Sequence, residues 1–257
     1  MTDERVYEPL PAGRLENGVL LLEPPSAFEA AYSLVRKAER RVLTDDQVRA
    51  LPNGDGLWNA AEWDIRTRSA KRLVKALSEL DRPLTILDVG CGNGWLSALL
   101  QREGHTVHGM DAFTEELEQA ARIFPGPQFM RADLFRSPLP ERAFDAIIFA
   151  ASFQYFPYPV ATIQRCMELL TAHGEVHILD SMLYRSKAEC VAAVERSRTY
   201  YGTLGFPEMA SHYHAHELAQ LQALGKLRVL SAPNGMERTL KRFGRPSSPF
   251  THVVIER

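Results

Sequence analysis

Three glycines at alternate positions, Gly90, Gly92 and Gly94, break the run Ile86-Leu-Asp-Val-Gly-Cys-Gly-Asn-Gly-Trp95. The apolar residues before them read as a buried strand and those after them as a helix, so the glycines make a strand-to-helix turn. Lacking a Cβ, glycine permits a sharp turn and lets a ligand lie against the backbone. Ligands of open α/β sheets bind at the carboxyl ends of strands, which is where this turn falls. Two carboxylates extend the site. Asp111 ends the next strand, where its oxygens could accept both hydroxyls of a ribose. Asp133 follows the third strand in Arg131-Ala-Asp-Leu134, where it could accept an adenine amino group. A charge-assisted contact of this kind contributes about 1.5–3 kcal/mol. Asp88, within the strand, is expected to orient the turn through backbone N–H bonds. Each feature also has a plain structural reading: such turns occur without ligands, and an aspartate after a strand often caps a helix.

The glycine spacing selects among cofactors. A dinucleotide turn, GxGxxG, needs a third glycine where this chain has Trp95 or Ser97, and no GxxxxGK[ST] phosphate loop is present. The pattern acidic-x-Gly-x-Gly-x-Gly from Asp88 to Gly94 resembles the first motif of the class I S-adenosylmethionine (SAM)-dependent methyltransferases. The resemblance spans about Ile86 to Leu179. It implies that SAM is held by Asp88, Gly90, Cys91, Gly92, Asn93, Gly94, Asp111, Ala112, Asp133, Leu134 and Ala150. The preceding helical segment, Glu62-Trp-Asp-Ile-Arg-Thr-Arg-Ser-Ala70, is similar to segments that cover the methionine end of SAM in bacterial members. By that likeness Trp63 packs on the cofactor and Arg66 or Arg68 meets its carboxylate; the bland alternative is a core tryptophan and two solvated arginines. The loop Ala150-Ala-Ser-Phe-Gln-Tyr-Phe156 corresponds to the one beside the methyl group. Ala150 and Ala151 leave room there, and Gln154 and Tyr155 are placed to touch an acceptor. Many relatives carry a histidine near Gln154, so one general base is missing here. His173-Gly174-Glu175 stands where a Pro-Gly-Gly turn is common, with His173 expected to face solvent.

Methyl transfer is an in-line displacement at a sulfonium carbon with a neutral leaving group. Positioning the nucleophile can lower such a barrier by about 7–11 kcal/mol, and a base is needed only if the acceptor must lose a proton. The best source of a base is His214 in Ser211-His-Tyr-His-Ala-His-Glu217, because histidine titrates near neutrality. In an extended strand His212, His214 and His216 would share a face, which invites a metal. The stronger reading is that His214 and Glu217 occupy the N-cap and N3 positions of a helix, and no metal site is expected. Asp180 is a weaker candidate base. Phe153, Tyr155, Phe156, Tyr158, Tyr184, Tyr200 and Tyr201 point to an aromatic or apolar acceptor, unless they are core.

The elements that must position these groups follow from hydrophobic periodicity. Residues 1–26, with Pro9, Pro11, Pro24 and Pro25, read as extended or loosely ordered. Helices are expected over Phe28–Leu43, from Thr44 to before Pro52, and over Asn59–Leu80. Strands 84–89, 106–110, 128–131, 144–149 and 175–179 then alternate with helices 94–102, 115–124 and 160–170. A helix over 187–204 and strands 227–231 and 251–255 end the chain. The fold class is therefore α/β: a Rossmann-like methyltransferase sheet, mostly parallel with the last strand antiparallel. Residues 1–80 form an N-terminal helical cap, and 81–257 form the SAM-binding domain with a substrate-lining insertion at about 182–217.

Composition narrows the partners. The 257 residues carry a formal net charge of −2 with no long run of one sign. That gives no support to a nucleic-acid or membrane surface, and a small-molecule acceptor is expected. The cysteines Cys91, Cys166 and Cys190 form no CxxC pair, and the N-terminus lacks the pattern of a signal peptide, so a reduced, cytoplasmic protein is expected. Competing functions are a non-catalytic SAM-binding subunit and a dinucleotide-dependent oxidoreductase.

Overall fold

A computed structural model describes residues 13–233 and 248–257; the expectations for Pro9 and Pro11 lie outside these. A nine-stranded sheet organises the chain. Its centre is built from β3 (Thr85–Val89), β4 (Thr106–Asp111), β5 (Gln128–Arg131), β6 (Phe144–Ala150) and β7 (Leu170–Leu179). These five strands run parallel in the order β5-β4-β3-β6-β7. Fully buried runs such as Thr85–Val89 and Phe144–Phe149 mark strands covered on both faces, which explains why they read as continuous apolar stretches. At one edge β11 (His252–Glu256) pairs antiparallel with β7, and β10 (Lys226–Ser231) pairs antiparallel with β11. The expected sheet is thus present, with its last strand reversed. β7 starts earlier than expected: Leu170 already pairs with Phe144, and a register shift follows before Ala146 meets Glu175. His173 and Gly174 therefore lie within a bulged strand rather than in a separate turn.

The other edge was not expected. β1 (Arg14–Glu16) and β2 (Val19–Leu21) form a hairpin, and β2 adds in parallel to β5. The cause is local. Asn17 and Gly18 both take positive φ, 47° and 82°, as a two-residue hairpin turn requires. Residues 14–21 therefore extend the sheet, and the N-terminal helices follow them.

Those helices are α1 (Ala27–Ala38), α2 (Asp45–Ala50) and α3 (Ala60–Ser78). Ser26 caps α1 and a Thr44–Gln47 capping box starts α2. α3 buries Trp63, Ala70, Leu73 and Leu77, a three- and four-residue stripe, against β3 and the helix α4 (Trp95–Arg102). On the sheet's flanks lie α4, α5 (Thr114–Ile123) and α6 (Pro159–Leu169). After β7 come β8 (Leu183–Tyr184), α7 (Lys187–Leu204), β9 (His216–Glu217) and α8 (Leu218–Gln222), with β8 and β9 paired in a separate two-stranded sheet. No helix among the described residues is long and apolar enough to cross a membrane.

Candidate active site

The strand order reverses direction between β3 and β6, and the glycine turn leaves β3 at that switch point. Gly90, Gly92 and Gly94 all have positive φ, at 75°, 53° and 73°. The Gly90 and Cys91 N–H groups donate to the Met110 carbonyl at 2.8 and 3.1 Å, which ties the turn to the end of β4. A cleft of about 270 Å3 opens over it.

The cleft brings together most of the residues anticipated from sequence. Trp63, Gly90, Cys91, Gly92, Asn93, Asp111, Ala112, Asp133, Leu134 and Ala150 all line it. Asp111 is fixed from two sides: Gly92 N–H donates to Oδ2 at 2.8 Å and Phe113 N–H donates to Oδ1 at 3.0 Å. Burial, with Glu116 nearby, pushes its pKa up to about 6. Asp133 does both things a post-strand aspartate can do. Its Oδ1 accepts the Phe135 and Arg136 N–H groups at 3.0 Å each, capping the turn, and the residue still faces the cleft.

Three of the anticipated residues lie elsewhere. Arg68 does not line the cleft, whereas Arg66 does. Helix phase explains this: Trp63 and Arg66 are three apart and share a face, while Arg68 is turned away by two further residues. Arg66 also lies over the Trp63 ring, 5.0 Å from its centroid. Asp88 sits behind the turn, 1% exposed, where it accepts the Ser97 hydroxyl at 2.6 Å rather than backbone N–H groups of the turn. Burial raises it to about 7. Gly94 serves packing, since a Cβ there would lie 2.6 Å from the Phe129 ring and 2.8 Å from Ala120.

Sequence reasoning missed the roof of the cleft. Phe28, Tyr32 and Arg36 of α1, together with Asn59, Glu116 and Trp95, also line it. Residues 28, 32 and 36 repeat at four-residue steps, so the face was legible; its docking over β4 and α5 is a tertiary contact and was not. Two buried polar atoms on the lining have no hydrogen-bond partner, Asn59 Oδ1 and Trp63 Nε1. Buried polar groups are seldom left unpaired. A zwitterionic amino-acid end would supply a donor for the first and an acceptor for the second, with Arg66 beside them. The lining therefore suits SAM: carboxylates and apolar residues at the nucleoside end, orphaned polar atoms and a guanidinium at the other.

A second, larger chamber of about 840 Å3 adjoins the cleft. Tyr32, Arg36, Arg41, Arg66, Ala151 and Tyr155 line both, so they form the junction. Tyr155, anticipated as an acceptor contact, stands at this boundary, with its pKa raised by burial. Gln154 lines the second chamber but its side chain is committed. Its Nε2 donates to the Ala151 carbonyl at 2.6 Å and its Oε1 accepts the Ser181 hydroxyl at 2.9 Å. It shapes the loop.

His214 lines neither space. Its backbone N–H donates to the Gln154 carbonyl at 2.8 Å, and it borders a separate groove with Pro157, Ala215 and His216. Its neighbour Tyr213 lines both that groove and the second chamber. The helix start also differs from expectation: Glu217 is the N-cap and forms a capping box with Gln220, so His214 caps nothing. Asp180, which sequence ranked lower, does line the chamber.

The fold is Rossmann-like, as in class I methyltransferases, with the cleft at the switch point of its sheet. Residues 87–178 match the family model described as a methyltransferase domain. The chain is 33% identical over 129 residues to a trans-aconitate 2-methyltransferase of Rhizobium rhizogenes, covering 47% of this chain and 49% of that protein. It is 30% identical over 123 residues to a malonyl-[acyl-carrier protein] O-methyltransferase of Halalkalibacterium halodurans, covering 43% and 45%. The matched stretch thus spans about half the length of these curated relatives. Among solved structures, the plantazolicin methyltransferase BpumL in complex with a desmethyl plantazolicin analogue and S-adenosylhomocysteine (SAH) superposes with a TM-score of 0.57. That match is 15% identical and covers 89% of this chain and 95% of the other, so it speaks to the fold.

Proposed function

We propose that this protein is a SAM-dependent methyltransferase acting on a small molecule. SAM lies in the cleft, with its ribose at Asp111, its adenine near Asp133 and Leu134, and its amino-acid end at Asn59, Trp63 and Arg66. It supplies a sulfonium-bound methyl group, and the chain's task is to hold an acceptor in line with it. The acceptor occupies the second chamber. The observation that carries this reading is the continuity of the two spaces through Ala151 and Tyr155, which leaves room for an acceptor directly beyond the loop that follows β6. The trans-aconitate, malonyl-carrier and ubiquinone-pathway relatives are O-methyltransferases or act on small acceptors by name, and an oxygen acceptor is the chemistry we favour.

Calorimetric titration tests the cofactor. SAM and SAH are expected to bind and NAD(P) not to. Binding of NAD(P) with no affinity for SAM would overturn the proposal, and SAM binding without any methylated product would leave a non-catalytic SAM-binding subunit.

A further inference from the structure

Resting on the methyltransferase reading, we propose that the acceptor is a hydroxylated aromatic and that Asp180 takes the hydroxyl proton as the methyl group is transferred.

The position comes first. β6 and β7 pair with Ala150 opposite Leu179, and the Ala151 N–H donates to the Leu179 carbonyl at 2.9 Å. The next residues on the two strands, Ala151 and Asp180, are therefore neighbours at the carboxyl end of the sheet. Ala151 belongs to the junction between cleft and chamber, so Asp180 enters the chamber beside the point of transfer. Both residues adopt left-handed backbone conformations, with φ of 58° and 53°. Neither is glycine, and such strain of about 1–3 kcal/mol clusters at functional sites.

The carboxylate is also held for the task. Asp180 is 8% exposed, and its Oδ1 accepts the Ser69 hydroxyl from α3 at 2.6 Å. Among the described residues Oδ2 has no hydrogen bond or close ion pair, so one oxygen is anchored and one is available. Arg66 and Arg72 of α3 face it electrostatically, and burial still raises its pKa overall. A proton acceptor moved toward neutrality is better matched to its work.

The chamber argues for the class of acceptor. Six tyrosines line it: Tyr32, Tyr155, Tyr184, Tyr200, Tyr201 and Tyr213. Such walls suit a flat aromatic body with polar substituents. A carboxylate acceptor would need an unpaired cation, and two of the four lining arginines are already paired with acids. Arg41 is bidentate to Glu62 at 2.8 and 3.0 Å and lies 3.2 Å from Glu39, while Arg36 is paired with Glu116 at 2.7 Å. Arg66 is assigned to the cofactor. The fourth arginine, Arg196, is exposed and hydrogen-bonds Tyr184; the chamber thus offers a base and aromatic faces more than a carboxylate clamp. In the step itself, the acceptor oxygen bonds to the methyl carbon as the carbon–sulfur bond breaks, and that electron pair returns to sulfur as a neutral thioether. The hydroxyl proton passes to Asp180 and later to solvent.

The test combines turnover with binding. Wild-type protein with SAM is offered catechol and caffeate, and separately benzoate and trans-aconitate, and SAH formation is followed. Affinity of catechol for the SAH complex is measured by calorimetry. We expect methylation of catechol and caffeate only. Asp180→Asn keeps an acceptor for Ser69; it should lower kcat by about 100-fold or more, with SAH and catechol affinities within about threefold. The loss should shrink for 4-nitrocatechol, which arrives ionised. Retained kcat in Asp180→Asn, methylation confined to the carboxylates, or no affinity of catechol and caffeate for the SAH complex would each overturn the proposal. If the variant does not fold, the wild-type rates decide: rates that simply track the ionised fraction of catechol and 4-nitrocatechol leave Asp180 no role. Failure of SAM to bind at all would instead sink the methyltransferase reading.

Discussion

Arg36 and Glu116 form a largely buried ion pair in which Arg36 Nη2 and Nε donate to Glu116 Oε1 at 2.7 and 3.2 Å. The pair joins α1, the roof of the cleft, to α5 beneath it, and both residues line the cleft. Burial opposes the charge on Arg36, yet Glu116 more than compensates and holds it protonated. Removing one partner should cost about 3–5 kcal/mol because it strands a buried charge. Arg36→Met and Glu116→Gln should each lower the urea midpoint, and the double variant should lose less than the sum. Strict additivity would show that the two side chains act independently.

Glycine at position 94 is required by packing rather than by ligand. Its φ of 73° is unfavourable for alanine, and a Cβ would press on the Phe129 ring. The combined penalty is about 2–5 kcal/mol. Gly94→Ala should therefore show a lower thermal midpoint, with SAH affinity little changed in protein that remains folded. A stable variant with weak SAH binding would reverse the assignment.

The two glycine roles show where sequence was informative. The turn, the parallel strands and Asp111, Ala112, Asp133 and Leu134 were legible because buried strands and post-strand positions are fixed by local pattern. The hairpin at Asn17-Gly18 carried its own signal, obscured by the prolines on either side of it. Arg66 was separable from Arg68 by helix phase once Trp63 was placed. His214 and Asp180 could not be ranked, because the orientation of loop residues depends on which chain segment packs against them. Here the Gln154 carbonyl fixes the His214 backbone, and Ser69 fixes Asp180. Asp88 was misread for a similar reason: its partner, the Ser97 hydroxyl, lies nine residues ahead on α4.

Cofactor affinity should depend on Asp111 and on pH. Asp111→Ala should weaken SAH binding at least about tenfold, the loss of one charge-assisted contact. In the proposed complex ribose hydroxyls donate to the ionised carboxylate, and burial pushes the Asp111 pKa up to about 6 in the free protein. Below that value protonation competes with binding, so the dissociation constant should rise toward about tenfold per pH unit. Above it the dependence should flatten. Asp111→Asn, which cannot titrate, should lack this limb in calorimetric titrations from pH 5 to 8; identical pH profiles for the two proteins would remove Asp111 from the ribose site.

Acid should act on the sheet edge through His252. This residue on β11 is 2% exposed, and its Nε2 lies 3.2 Å from His177 Nδ1 on β7. His177 Nε2 is in turn 3.2 Å from Glu175 Oε2, which pairs with Arg228 of β10 at 2.9 Å. Burial, then His177 and Arg72, depress the His252 pKa to about 3. In the unfolded chain the group titrates near its ordinary value of about 6.5. Above that pH neither state is protonated at this site and its contribution to stability is intact. As the pH falls below it, the unfolded chain takes up a proton that the folded protein refuses, and stability declines until the pH approaches the folded value. Asp88 and Asp111, whose folded pKa values are raised, act in the opposite sense over part of this range, losing stability as pH rises from about 4 toward about 7. They are common to wild type and His252→Gln and cancel in the difference. Between pH 6.5 and 4 the wild type should therefore lose stability relative to His252→Gln by up to about 1.4 kcal/mol per pH unit, read from urea midpoints. Parallel curves would mean that His252 keeps its ordinary pKa in the folded protein and that the buried histidine pair is insulated from the acid response of the fold.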